Sequence, residues 1–176
     1  MSDALIDSLC TECGLCCNGV LFTSVICSTA TEARRMEELG SRITTTEGLA
    51  SFPQPCHHLN GTRCQVYGDR PGRCRQFECE LLKSVRGNNR TVERAAAIII
   101  ETRSAADKLE SQLTALGNTD TQTAVAYRCD QVMDNPTDKT DEWWDNYAEF
   151  NLQLRKVQAL LRQHFYESVV EDTEAP

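Results

Sequence analysis

Two long stretches of the chain place apolar residues three and four apart. The first runs through Val92, Ala95, Ile99, Thr102, Ala106, Leu109, Leu113 and Leu116, and Gly117 follows. Such spacing puts an apolar stripe on one face of an α-helix, and glycine suits the left-handed residue that closes it. The second runs through Trp143, Tyr147, Phe150, Leu154, Val157, Leu161 and His164. Thr137 or Thr140 is placed to cap it, after Pro136. A shorter helix is expected between the two, around Thr121–Met133. The stripes pack most simply on each other as an antiparallel bundle; a dimerising coiled coil is the other use of such seams.

The front of the chain has no long period. Val20–Cys27 is rich in β-branched residues and reads as a strand. Thr31–Leu39 reads as a short helix, with Thr29 or Thr31 as its cap and Gly40 at its end. Between residues 51 and 80, Pro53, Pro55, Gly61, Gly68, Pro71 and Gly72 predict loops and tight turns, and "SVRGNNR" at 84–90 predicts another. The expected fold is therefore mainly α. An irregular cysteine-rich segment, with at most a small β element, packs on a helical bundle. Residues 1–85 form the cysteine region, 86–170 the bundle, and 171–176 a frayed tail.

Composition changes this picture in two ways. A chain of 176 residues with 40% apolar content can bury about 70% of its unfolded surface, so it does not need cross-links to fold. The charge is also uneven. Residues 1–100 hold 11 Lys/Arg and 11 Asp/Glu, whereas residues 101–176 hold 7 against 15, which accounts for the net −8. A neutral front and an acidic back argue against general binding of phosphate backbones. The first nine residues carry two Asp, no Lys or Arg and no long apolar run, so a cytoplasmic protein with no membrane span is expected. In that compartment clustered cysteines more often bind metal than form disulfides.

Nine of the ten cysteines lie between residues 10 and 79. In "CTECGLCC", Cys10 and Cys13 have the spacing of a knuckle that grips one tetrahedral ion. Gly14 relieves the turn after the second ligand, and Cys16 adds a third. Cys17 diverges from its neighbour, to serve a second ion or to bridge two. Cys56, Cys64, Cys74 and Cys79 make a second group. Eight thiols can form two four-sulfur sites, one multinuclear site, or one filled site with spare thiols; spacing alone does not pair them. An ion with four thiolates carries a formal −2, which cations and N–H donors around it stabilise. Arg63, Arg70, Arg73 and Arg75, against Asp69 alone, supply that composition. His57 and His58 read as partly exposed loop residues, and Cys27 and Cys129 as small buried apolar side chains. Tyr67 and Phe77 are placed to shield the sulfur from water.

"CTECGLCC" followed by "PCHHL…GTRCQVYGDRPGRCRQFEC" resembles the CxxCxxCC cysteine-cluster family of bacteria, the YkgJ-type zinc- or iron-chelating proteins. The resemblance covers residues 8–80. It rests on the four tight cysteines, then Pro-Cys, Gly-x-x-Cys, Tyr67, Arg70-Pro71, Cys74-Arg75 and Phe77-x-Cys79. It implies metal ligands at Cys10, Cys13, Cys16, Cys17, Cys56, Cys64, Cys74 and Cys79. Flagellin lysine methylases look similar in their cysteine pattern, and there an iron–sulfur cluster is implicated; methyl transfer is not carried over to this chain. Zinc or mononuclear iron is the first expectation. An iron–sulfur cluster is the alternative, since Cys10, Cys13 and Cys16 match the first three cysteines of a ferredoxin run, although Val20 stands where the fourth would be. The expected function is a cytosolic protein that chelates zinc or iron. The alternatives are an iron–sulfur redox or radical enzyme and a zinc-organised module for a protein or nucleic-acid partner. The partners implied are the metal ion and a protein or second copy on the helices.

Overall fold

The computed structural model describes residues 3–134 and 140–167, with side chains from Ser8 onward. The chain is mainly α with small β elements. Helices α1 (Asp3–Cys13), α2 (Ala30–Glu38), α3 (Gly72–Gln76) and α4 (Glu80–Arg86) alternate with short strands. Helices α5 (Val92–Ala115), α6 (Val125–Asp134) and α7 (Asp141–His164) follow.

The two periodic stretches form the long helices α5 and α7. Thr91 caps α5 by accepting the Arg94 N–H, and Gly117 takes φ +90° beyond its end. Thr140 caps α7 by accepting the Trp143 N–H, which satisfies donors that the helix cannot satisfy itself. Polar contacts set the pairing. Gln112 donates to Glu149 at 3.0 Å, Gln153 to the Ala105 carbonyl at 2.7 Å, and Lys156 reaches Glu101 at 4.0 Å. Rising numbers on one helix meet falling numbers on the other, so the pair is antiparallel, as the stripes require. Pro136, Thr137 and the tail 171–176 lie outside the described residues.

Helix α5 buries more than one stripe, because α1, α4 and α6 also pack on it. Its buried Thr102 returns its hydroxyl to the Ile98 carbonyl at 2.8 Å, so no polar group is left open there. One core joins Leu9, Leu15, Leu21, Leu82 and Val85 to Ile99, Leu109, Leu113, Phe150, Leu161 and Phe165. Each such side chain contributes roughly 1.5–3 kcal/mol on leaving water.

A second, smaller core holds Cys27, Met36 and Phe52. It lies under α2 and an antiparallel sheet of β1 (Ser24–Ile26), β3 (Leu49–Pro53) and β2 (Thr44–Thr46), in that spatial order. Val25 faces Phe52 and Thr45 faces Ala50 in the register. Glu47 and Gly48 turn between β2 and β3 with φ +53° and +81°, the left-handed pair of a type I′ hairpin. A second hairpin pairs β4 (Leu59–Asn60) with β5 (Arg63–Cys64).

Several local expectations change. The strand expected over residues 20–27 is only Ser24–Ile26, because the chain before it turns to bury Val20 and Leu21 in the main core. The turn expected at 84–90 begins only after Arg86, since Leu81, Leu82 and Val85 form a buried helical face. Helix α1 replaces the irregular start and runs through Cys13.

Candidate metal centre

Helix α1 carries Cys10 and Cys13 on its last turn, so they lie on one face by the i, i+3 rule rather than on a knuckle loop. Gly14 then ends the helix at φ +69°. A Cβ there would stand 3.1 Å from the Thr62 Cα, so the β4–β5 hairpin tip packs directly on this glycine. The Gly14 carbonyl accepts the N–H groups of Cys17 and Asn18, which turns the chain sharply. Leu15, fully buried, anchors that turn in the main core, and the next two residues are Cys16 and Cys17.

The remaining cysteines come from separate elements. Cys56 follows the cis Gln54–Pro55 bond and donates its N–H to the Cys17 carbonyl at 2.7 Å. Cys64 lies on β5 opposite Leu59, and Cys74 lies within α3. Cys79 is the residue before the first turn of α4.

The surroundings sort these thiols. Cys13, Cys16 and Cys79 pack against the main core, whereas Cys56 and Cys74 pack against the smaller one. Burial pushes the Cys13 thiol up to about 12; Leu15 N–H opposes this, Cys79 and Cys10 add to it, and Arg103 lowers it. Burial drives Cys16 well above its usual value, and Cys13, Cys17, Cys79 and Cys10 add to it. Burial takes Cys17 to about 12, and its neighbouring thiols are Cys56, Cys74 and Cys64, with Arg70 opposing. Burial takes Cys74 to about 11; Cys56 and Cys64 raise it further and Arg70 lowers it. Cys56 is raised by burial and by Cys64, against a hydrogen bond from the His58 backbone. Cys79 is raised by burial, while N–H groups at the start of α4 hold it down. Burial therefore favours the neutral form of Cys13, Cys16, Cys17, Cys56, Cys74 and Cys79. Among the described residues no disulfide joins the ten cysteines, and no three His, Cys, Asp or Glu side chains close on a single ion position.

Of the four arginines singled out from the sequence, Arg70 stands against the thiols. Its guanidinium lies 3.5 Å over the Tyr67 ring, and its Nη1 reaches the Cys74 carbonyl at 3.5 Å. Arg63 and Arg73 are exposed, and Arg75 acts on Glu32. Arg103, on α5, has no signal in the motif, yet it faces Cys13 and donates to the Glu12 carbonyl at 2.8 Å. Tyr67 and Phe77, expected to shield the sulfur, are exposed, and Phe77 meets Phe22 edge-on at 4.9 Å. His57 is exposed as expected. His58 is not: it is buried and shares a 2.9 Å hydrogen bond with the Ser41 hydroxyl, just beyond the end of α2. Cys27 and Cys129 are both buried.

A cleft of about 270 Å³, lined by Thr11, Arg63, Cys64 and Tyr67, opens beside Cys64. Among the described residues no helix is long and apolar enough to cross a membrane. A family model described as "CxxCxxCC: putative zinc- or iron-chelating domain" matches residues 9–130. The match runs past the cysteines through α5 and into α6, farther than the 8–80 that the motifs alone covered. No curated protein and no solved structure gives a significant match.

Proposed function

Because the chain belongs to the CxxCxxCC family of zinc- or iron-chelating domains, we propose that it holds zinc or iron with the thiolates of Cys10, Cys13, Cys16, Cys17, Cys56, Cys64, Cys74 and Cys79. The observation that supports the reading is the family match over residues 9–130, together with the backbone bond from the Cys56 N–H to the Cys17 carbonyl beside the sharp turn at residues 14–17. An all-sulfur donor set suits zinc and iron alike. Buried thiols release their protons when a cation replaces them, so metal entry and proton loss are coupled. Arg70 and Arg103 offset part of the negative charge that a filled site would carry. Such thiols persist in a reducing compartment, which favours the cytoplasm.

One observation favours the iron–sulfur reading. Cys10, Cys13 and Cys16 share their surroundings with the distant Cys79, while the next cysteine, Cys17, joins other partners. In two-cluster ferredoxins the fourth cysteine of the run likewise serves the other cluster.

Metal and acid-labile sulfide analysis of protein purified without air tests both readings. Zinc with no sulfide and no visible colour supports closed sulfur sites. Iron with matching sulfide and a brown colour supports the cluster. Reduced protein that neither carries nor takes up zinc or iron refutes chelation.

A further inference from the structure

We propose that the eight cysteines form two separate four-sulfur sites, one built from Cys10, Cys13, Cys16 and Cys79 and the other from Cys17, Cys56, Cys64 and Cys74. The inference rests on the chelation reading and adds the assignment that spacing leaves open. The backbone supports the division. Helices α1 and α4, which deliver Cys10, Cys13 and Cys79, pack on each other and on α5. The thiols of Cys13, Cys16 and Cys79 all pack against the main core.

The second site is built from the other side. The Cys56 N–H is bound to the Cys17 carbonyl, and the Leu59 N–H returns to the Cys56 carbonyl. Leu59 pairs with Cys64 across the hairpin. Cys56 and Cys74 pack against the smaller core with Met36 and Phe52.

The dividing point is the peptide between Cys16 and Cys17. Leu15 is sealed in the main core and Cys16 packs against that core, whereas the Cys17 carbonyl accepts the Cys56 N–H. Each set also has a cation fixed beside it: Arg103 donates to the Glu12 carbonyl, next to Cys13, and Arg70 to the Cys74 carbonyl.

The test uses the full reduced chain, stripped of metal without air and titrated with ¹¹³Cd²⁺. Two equivalents and two NMR resonances in the all-sulfur range are expected. C10S and C79S should each remove or shift the same resonance, and C56S and C74S the other. Uptake of one equivalent, scalar coupling between cadmium ions, or loss of both resonances in C10S overturns the division while leaving chelation intact. No uptake at all overturns chelation itself. Cys10 is exposed, so C10S keeps the test valid where C79S fails to fold; circular dichroism of each variant checks this.

Discussion

Glu32 is the side chain that ties the smaller core to the helix carrying Cys74. One carboxylate oxygen accepts the Gly72 N–H at 2.7 Å and the other accepts the Ser28 N–H at 2.8 Å. Its own N–H is held by the Thr29 hydroxyl at 3.1 Å, so it completes a cap and reaches forty residues along the chain. Glu32→Ala removes both carboxylate bonds. A hydrogen bond to a charged group contributes about 1.5–3 kcal/mol. The Ser28 bond is exposed and water can replace it, so solvent screening reduces the sum to roughly 1–2 kcal/mol. For a chain of this length that lowers Tm by about 2–8 °C. The Gly72 N–H first, then those of Ser28 and Thr29 and the Arg75 charge, hold the Glu32 carboxyl below its usual range. A lowered folded pKa means the contribution is complete above the unfolded value of about 4.3 and is lost as pH falls through the folded one. Thermal melts of the reduced protein and of Glu32→Ala at pH 7, 5 and 3 check this. The gap should be equal at pH 7 and 5 and should close toward pH 3. Coincident melts at pH 7, or a gap that persists unchanged at pH 3, refute the reasoning.

Further predictions concern backbone, buried charge and ligation. Gly19 has φ +86°, and a Cβ there would lie 3.0 Å from the Ala124 Cα, whereas at Gly48, with φ +81°, it would meet nothing within 4 Å. Urea unfolding should therefore show Gly48→Ala costing about 1–2 kcal/mol from left-handed strain alone, and Gly19→Ala clearly more. Arg128 is buried and donates to the Asn118 side chain at 3.0 Å and to its carbonyl at 2.9 Å. Asn118→Ala removes the side-chain acceptor of a buried charge and should cost about 2–4 kcal/mol in the same assay, with Asn118→Asp costing less. In hydrogen exchange, zinc or cadmium should slow the amides of residues 56–74 more than those of α1 and α4.

The long helices were legible because their stripes, the Thr140 cap and the closing Gly117 all point the same way. Helix α2, with Thr29 before it and Gly40 at φ +98° behind, was legible for the same reason. Helix α1 was hidden because the chemistry of Cys10 and Cys13 suggests a loop, while Leu5 and Leu9, one turn apart, carry the weaker helical signal. Helix α4 was hidden by its length: Leu81, Leu82 and Val85 are too few for a period, and tertiary burial forms the helix. The sorting of the thiols depends on Leu15 reaching the core and on the β4–β5 hairpin meeting Gly14, contacts without local sequence signature. The same holds for the cations. Four arginines in one loop suggested a basic surround, yet among the described residues Arg70 is the one of them that reaches a motif cysteine, at the Cys74 carbonyl, and Arg103 comes in beside Cys13 from a helix that the motif does not mention.

The two sets of thiols also differ in what supports them. Cys10, Cys13 and Cys79 stand on or beside helices that pack on each other and on α5. Their backbone is held whether or not the sulfurs are occupied. Cys56, Cys64 and Cys74 stand on a loop, a two-residue strand and a five-residue helix, beside a core of only three buried residues. Short elements of this kind do not hold themselves, because each turn of helix or pair of strand residues must offset its ordering entropy with few contacts. What joins them is sparse: the Cys17–Cys56 hydrogen bond, the Glu32 carboxylate on Gly72, and Arg70 between Tyr67 and Cys74. Neutral buried thiols add little attraction to that list, and a cation shared among them adds much more. On the two-site proposal, ligation at the second site contributes folding energy to residues 56–74, whereas at the first it fills a position that the helices already define.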